Sequence, residues 1–258
     1  MPTRGGAVLA SLLLILAAGC GSGNETSVIQ QDAALNVMIG GSPTVRGSGK
    51  TATEDRQLPA FHRVRASNGI EVVVAVTGTE SATVEADHNL LPLIQTMVEN
   101  GTLHITVTGS LSTRNPLRVR VAARQVDGLI ADSGAKISSK DIPGDELTLS
   151  ASSSGSVTVD HMDTMWVKVA ASSSGSVTTA GRADRQEVDA SSSGRYDGGK
   201  LVSRVSNVSS SSSGSATLNA TEELSGSASS SGTVRYSGRP ASVAVSTSSS
   251  GSVQAIGR

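Results

Sequence analysis

Leu147-Thr148-Leu149-Ser150-Ala151-Ser152-Ser153-Ser154-Gly155-Ser156-Val157-Thr158-Val159 is followed shortly by Val167-Lys168-Val169-Ala170-Ala171-Ser172-Ser173-Ser174-Gly175-Ser176-Val177-Thr178-Thr179. The phrase returns around Gly194, Gly214, Gly232 and Gly251, and a worn copy from Leu129 to Ile137 carries Ala135 in the glycine slot. The slots 135, 155, 175, 194, 214, 232 and 251 lie 20, 20, 19, 20, 18 and 19 residues apart. A near-constant step of this size marks a stack of like units, each burying its face only against its neighbours.

Within a copy the period is two. Six residues before the slot stand Leu149, Val169, Val188 and Val208; four before, Ala151, Ala171 and Ala190; two after, Val157, Val177, Tyr196, Ala216, Val234 and Val253. Polar residues fill most positions between them, so one face of a strand is apolar and the other wet. Like residues recur at like positions, so the copies stack in register. A β-solenoid with parallel strands about 4.8 Å apart does this. An antiparallel hairpin array does not, and the Asn-Gly or Asp-Gly turns it wants between copies are missing. The fold expected is therefore all-β: a parallel β-helix of about seven coils of 18–20 residues. By parity, Ser153, Ser173, Ser192, Ser212, Ser230 and Ser249 belong to the inward face at each corner, beside a glycine that permits a bend or a close backbone approach.

Composition agrees with a narrow bore. The chain of 258 residues holds one Phe, one Trp, two Tyr, 44 Ser and 28 Gly, so its core is built from Val, Leu, Ile and Ala. Net charge is −1, which gives no basic field for nucleic acid. One Cys excludes a disulfide framework and a Cys-based zinc site, and no cofactor is implied. Before the coils, Phe61 to Val76 reads as two strands about Ser67-Asn68-Gly69, and Ala82–Ala86 as another strand. Asn89–Glu99 reads as a short helix or turn, Asn100-Gly101 as a hairpin turn, and Leu117–Val121 as a strand. These form a β-rich cap over 58–125, closing one end of the coils at 126–258.

The N-terminus is an address. A basic start, an apolar run from Ala7 to Ala18 and then Gly19-Cys20 form a secretory signal over 1–19, too short to span a membrane. Leu16-Ala17-Ala18-Gly19-Cys20 resembles the bacterial lipobox, which implies lipidation of Cys20 and a membrane partner through the acyl anchor. Gly21, rather than Asp, follows the Cys. The lipobox resemblance thus implies the bacterial cell envelope, and the outer membrane in a two-membrane cell. Residues 20–57, with Gly-Ser-Gly at 21–23 and 47–49, read as a flexible tether. Gly47-Ser48-Gly49-Lys50-Thr51 is linker rather than phosphate loop, because Thr44 stands where the first glycine is needed.

Phe61, Ile70-Glu71-Val72-Val73-Val74, Asn89-Leu90-Leu91, Glu99-Asn100-Gly101-Thr102-Leu103-His104-Ile105 and the Ser-Gly-Ala and Ser-Ser-Gly-Ser coils, in that order, resemble the head GIN domain family of auto-transporter adhesins. The resemblance covers roughly 60–258. It implies a right-handed parallel β-helix on a secreted or lipid-anchored bacterial protein, with no catalytic residues attached.

Three functions compete: a non-catalytic adhesin or binder of a glycan or envelope polymer, a structural envelope lipoprotein without a ligand, and a polysaccharide-acting enzyme. The enzyme is disfavoured. A serine nucleophile needs a base within reach, and His161 is the only His after residue 104. Asp160, Asp163 and Asp184 are spaced as solvated charges, and Trp166, opening a coil, is assigned to packing rather than to a sugar platform. The binding candidate is an outward lattice of hydroxyls: Ser152, Ser154 and Ser156; Ser172, Ser174 and Ser176; Ser191 and Ser193; Ser211, Ser213 and Ser215. On a flat sheet these would stand about 4.8 Å by 7 Å apart, suited to a repetitive polymer.

Overall fold

The computed structural model describes residues 44–257. Cys20, the signal segment and most of the tether lie outside the described residues. The strands Ser156–Ala171, Ser176–Ala190, Arg195–Ser210 and Ser215–Ala228 stack in parallel, each following the next around the molecule. Register is like on like: Val157 faces Val177, Val169 faces Val188, and Ala171 faces Ala190. The chain is a β-solenoid; seven corner slots delimit its turns, of which there are about six.

Each coil has three sides. Along Ser156–Ala171 the buried residues are Val157 and Val159, then Met162 and Thr164, then Val167, Val169 and Ala171. Two exposed pairs, Asp160-His161 and Met165-Trp166, break the alternation. The chain bends at those pairs, so the inward set restarts on a new side; the Ser-rich segment makes the third corner. These bends also absorb the uneven step. Val159 pairs with Thr179 but Met162 with Gly181, so the shorter coil drops one residue at the bend and returns to register.

The serine corner differs from simple alternation. Ser153 and Ser154 both have positive φ, 48° and 64°, and Gly155 N–H donates to the Ser152 carbonyl at 2.8 Å. This is a type I′ turn. Its two central residues are exposed, so Ser153, Ser173, Ser192, Ser212, Ser230 and Ser249 point outward and not into the bore. The tight turn inserts three outward residues between inward Ala151 and inward Gly155, which parity cannot see. Gly155 itself has no positive φ; it is needed because a Cβ there would meet the Ala131 carbonyl oxygen at 2.2 Å. The same collision, at 2.1–2.2 Å, recurs at Gly175, Gly194, Gly214, Gly232 and Gly251.

The cap is partly a coil. Arg63–Ala66 pairs in parallel with Gly128–Ala131, and Glu71–Val76 with Lys136–Ser139, around a corner at Asn68-Gly69. The opposite edge of this layer pairs with Thr102–Val107 and Arg118–Ala123. Residues 63–76 are therefore sandwiched between a layer that follows them in sequence and the first repeat. Antiparallel strands close the end: Ile94–Glu99 on Thr102–Val107, and Ser81–Asp87 on Arg118–Ala123. The stretch read as helix or turn is a short 3-10 turn, Leu91–Leu93, followed by strand.

The folded part begins earlier than the tether reading allowed. Thr51–Gln57 pairs antiparallel with Ser81–Asp87, and Val45–Arg46 pairs with Leu111–Ser112. Alternating short polar residues suit an edge strand as well as a coil, and the deciding partners are distant in sequence. Buried Asp87 fastens this segment. It accepts from Asn115 Nδ2 at 2.6 Å and Thr113 Oγ1 at 2.9 Å, and from the Gly49 backbone. Those bonds, Asn115 first, hold its carboxyl below the ordinary value of 3.8 against the opposing effect of burial.

Two outcomes test this. Gly175→Ala should cost about 1–3 kcal/mol by overpacking against backbone, seen as a lower midpoint in thermal unfolding; Ser173→Ala, exposed, should cost far less. Because the folded state depresses the Asp87 pKa, its contribution is complete above the unfolded value and is lost as pH falls through the folded one. Amide exchange at residues 46–50 should quicken below pH 3.8 in the wild type, and be insensitive to pH there, after correction for intrinsic exchange, in Asp87→Asn.

Candidate functional site

The candidate serines are brought together, but around a corner and not on a flat sheet. Ser152, Ser172, Ser191 and Ser211 end one side and are half-buried. Ser154, Ser174, Ser193 and Ser213 sit exposed at the turn tip, and Ser156, Ser176 and Ser215 open the next side, half-buried. Ser152 is already engaged, its hydroxyl donating to Asp132. The residues that sequence parity missed are the second tip column, Ser153, Ser173, Ser192, Ser212, Ser230 and Ser249. The doublet before each glycine, read as a type I′ turn, would have exposed them.

The tip columns are locked by backbone. Ser154 N–H donates to the Ser173 carbonyl at 3.1 Å, Ser174 to Ser192 at 3.2 Å, and Ser193 to Ser212 at 3.1 Å. The hydroxyls of the tips are free of this ladder and exposed. A left-handed conformation costs a residue with a Cβ roughly 1–2 kcal/mol, and all twelve tip serines from Ser153 to Ser250 adopt it. The two earlier corners do otherwise, with Asn68-Gly69 and Ser133-Gly134 at the same places. Asn-Gly is the ordinary solution for this turn.

The Met165-Trp166 bend forms a second column. Its counterparts in neighbouring coils are Asp145-Glu146, Asp184-Arg185, Arg204-Val205 and Glu222-Glu223. Arg204 bonds Asp184 at 2.7 and 3.2 Å and Glu222 at 2.7 Å, so Asp184 belongs to an ion-pair ladder. The Arg204 hydrogen bond, opposed by desolvation, lowers the Asp184 pKa. Asp160 and Asp163 are exposed. Trp166 is not packed inside; 39% of it is exposed, and Met165 beside it is 64% exposed.

The bore holds a closed polar cluster around Tyr196 and Gln186. Tyr196 OH donates to Gln186 Oε1 at 3.0 Å and meets Thr179 Oγ1 at 2.9 Å. Gln186 Nε2 donates to Ser203 at 2.5 Å and Ser206 at 3.0 Å. Burial pushes the Tyr196 hydroxyl far above its usual pKa, so it stays a neutral donor. Every member is satisfied by another, as a buried network must be. Among the described residues no group of three His, Cys, Asp or Glu could hold a metal.

These features define a β-solenoid with a filled bore and an ordered polar exterior. The chain belongs to the family described as putative auto-transporter adhesin, head GIN domain, whose profile matches residues 60–240. A search of curated proteins gives no match. Among solved structures, a putative adhesin from Bacteroides fragilis superposes with a TM-score of 0.75 at 20% identity, covering 82% of this chain and 100% of its own. A putative lipid binding protein from Parabacteroides distasonis gives 0.66 at 19%, with coverage of 83% and 100%. A putative adhesin from Parabacteroides merdae gives 0.63 at 18%, with 84% and 100%. At these identities the likeness is one of fold.

Replacing Ser173→Asn with Ser174→Gly supplies the preferred turn pair. After allowing for the entropy glycine loses on folding, the double variant should gain about 1 kcal/mol, or about 2–4 °C in Tm. Thermal unfolding that shows a loss instead would mean the serine hydroxyls stabilise the corner.

Proposed function

We propose that this is a lipid-anchored, non-catalytic protein of the bacterial envelope that works by surface contact, as an adhesin or a binder of glycan or another envelope polymer. The observation that carries this reading is the run of twelve tip serines held in a left-handed conformation. A scaffold selected for stability alone has Asn-Gly available, and uses it at Asn68-Gly69. Strain kept at the six Ser-Ser corners from Ser153 to Ser250 favours a role for the exposed hydroxyls themselves. Adhesin descriptions in the family and in two neighbours agree with it. The lipid binding named for the third neighbour is accommodated less well, since the bore is filled by side chains such as Val157, Met162 and Leu201. Anchoring through Cys20 rests on the lipobox resemblance.

Fractionation and binding test the two halves separately. Wild type should sit in the envelope fraction and Cys20→Ala in the soluble one. Protease added to intact cells should degrade an adhesin and spare a structural protein facing the periplasm. In a pull-down on insoluble envelope polysaccharide, combining Ser174→Lys, Ser193→Lys and Ser213→Lys should cut retention at least tenfold. Unchanged retention would remove the serine columns from the function; no retention of wild type would favour a purely structural lipoprotein.

A further inference from the structure

The bend bearing Met165 and Trp166 interrupts a column of charge with the two large apolar side chains that the solenoid leaves exposed side by side. The chain has a single Trp, and an indole left 39% exposed where Glu146 and Arg185 flank it in register needs a reason. Around it lies an open groove of about 290 Å³ lined by Asp145, Glu146, Met165, Trp166, Asp184 and Arg185. Two further depressions border it, one sharing Asp145, Met165 and Asp184 and reaching Asp163 on one adjoining side, the other sharing Trp166 and Arg185 and reaching Glu187 and Asn207 on the other.

The charges around the indole are unequal in availability. Asp184 is taken by Arg204 at 2.7 Å. Among the described residues, no ion pair within 4.0 Å engages Asp145, Glu146 or Arg185, and all three are exposed. An apolar platform therefore has free acceptors on the rung to one side of it and a free donor on the rung to the other. An anion would meet Asp145 and Glu146, and a simple cation would meet Arg185, each repelled by a like charge. A neutral polyhydroxylated ring satisfies all of them. Its C–H face covers the indole, its hydroxyls donate to the carboxylates, and they accept from the guanidinium. A groove running across several rungs suits a chain of such rings.

We infer that the Trp166 bend is a binding subsite for a neutral glycan chain, with Trp166 as stacking platform and Glu146 and Arg185 as the flanking acceptor and donor. This rests on the reading that the protein works by surface contact, and adds a second contact point on a different corner from the serine columns.

The single Trp makes its own reporter. The full chain is titrated with neutral hexasaccharides of the cello, chito, manno and malto series while Trp166 fluorescence is followed. At least one should shift the emission and saturate. In a parallel assay by calorimetry, Trp166→Ala should weaken that sugar at least tenfold and Trp166→Phe much less. Arg185→Ala should weaken it severalfold, and unchanged thermal unfolding shows that the fold survives. Binding that persists in Trp166→Ala, or a fluorescence blank across all four series, overturns the subsite. The serine triple-lysine variant separates the two readings: it should leave hexasaccharide binding intact. Loss of polymer retention in that variant alone would keep the contact function while moving it off Trp166.

Discussion

At each serine-rich corner, a carbonyl oxygen of the coil below occupies the place where a side chain would begin. The distance from an added Cβ is 2.2 Å at Gly175 and 2.1 Å at Gly194. Such closeness is what lets parallel coils stack through a sharp corner without losing register. It demands glycine in the slot at the six Ser-Ser corners, though not at the Ser133-Gly134 corner where Ala135 fits, and the preceding two residues must then make the turn. From this follow the tip ladder, the outward serines and the placing of Val157 and its equivalents at the start of the next buried side.

Register, in turn, sets the surface. Because each coil repeats the last, any outward position becomes a column, and a column is uniform where the sequence is uniform. The corner column is almost all serine. The Met165-Trp166 column changes identity at every rung, from acid to apolar to ion pair. One edge of the molecule thus offers a repetitive hydroxyl face and another a single distinctive spot. The interior offers neither, since even its polar groups are spent, Tyr196 and Gln186 on each other and Ser210 and Thr164 on backbone carbonyls.

Length variation is confined to the bends. The coils differ by one or two residues, yet Val169, Val188 and Val208 remain in one inward line. Insertions or losses at an exposed bend cost little, whereas one on a side would turn every following side chain to the wrong face.

By itself the sequence determined the parallel stack, its step, and most of the bore, because alternation and repeat are local and every copy reports them again. The in-register serines could also be read directly. Features that depend on distant partners or on backbone handedness emerge only once the chain is folded. Residues 51–57 become a strand because Ser81–Asp87 lies beside them. Residues 63–76 become a coil because chain far downstream supplies both neighbours. The serine doublets face out because a type I′ turn overrides parity. Trp166 lies exposed because the chain bends there, and a bend between Thr164 and Val167 leaves no mark in a two-residue period.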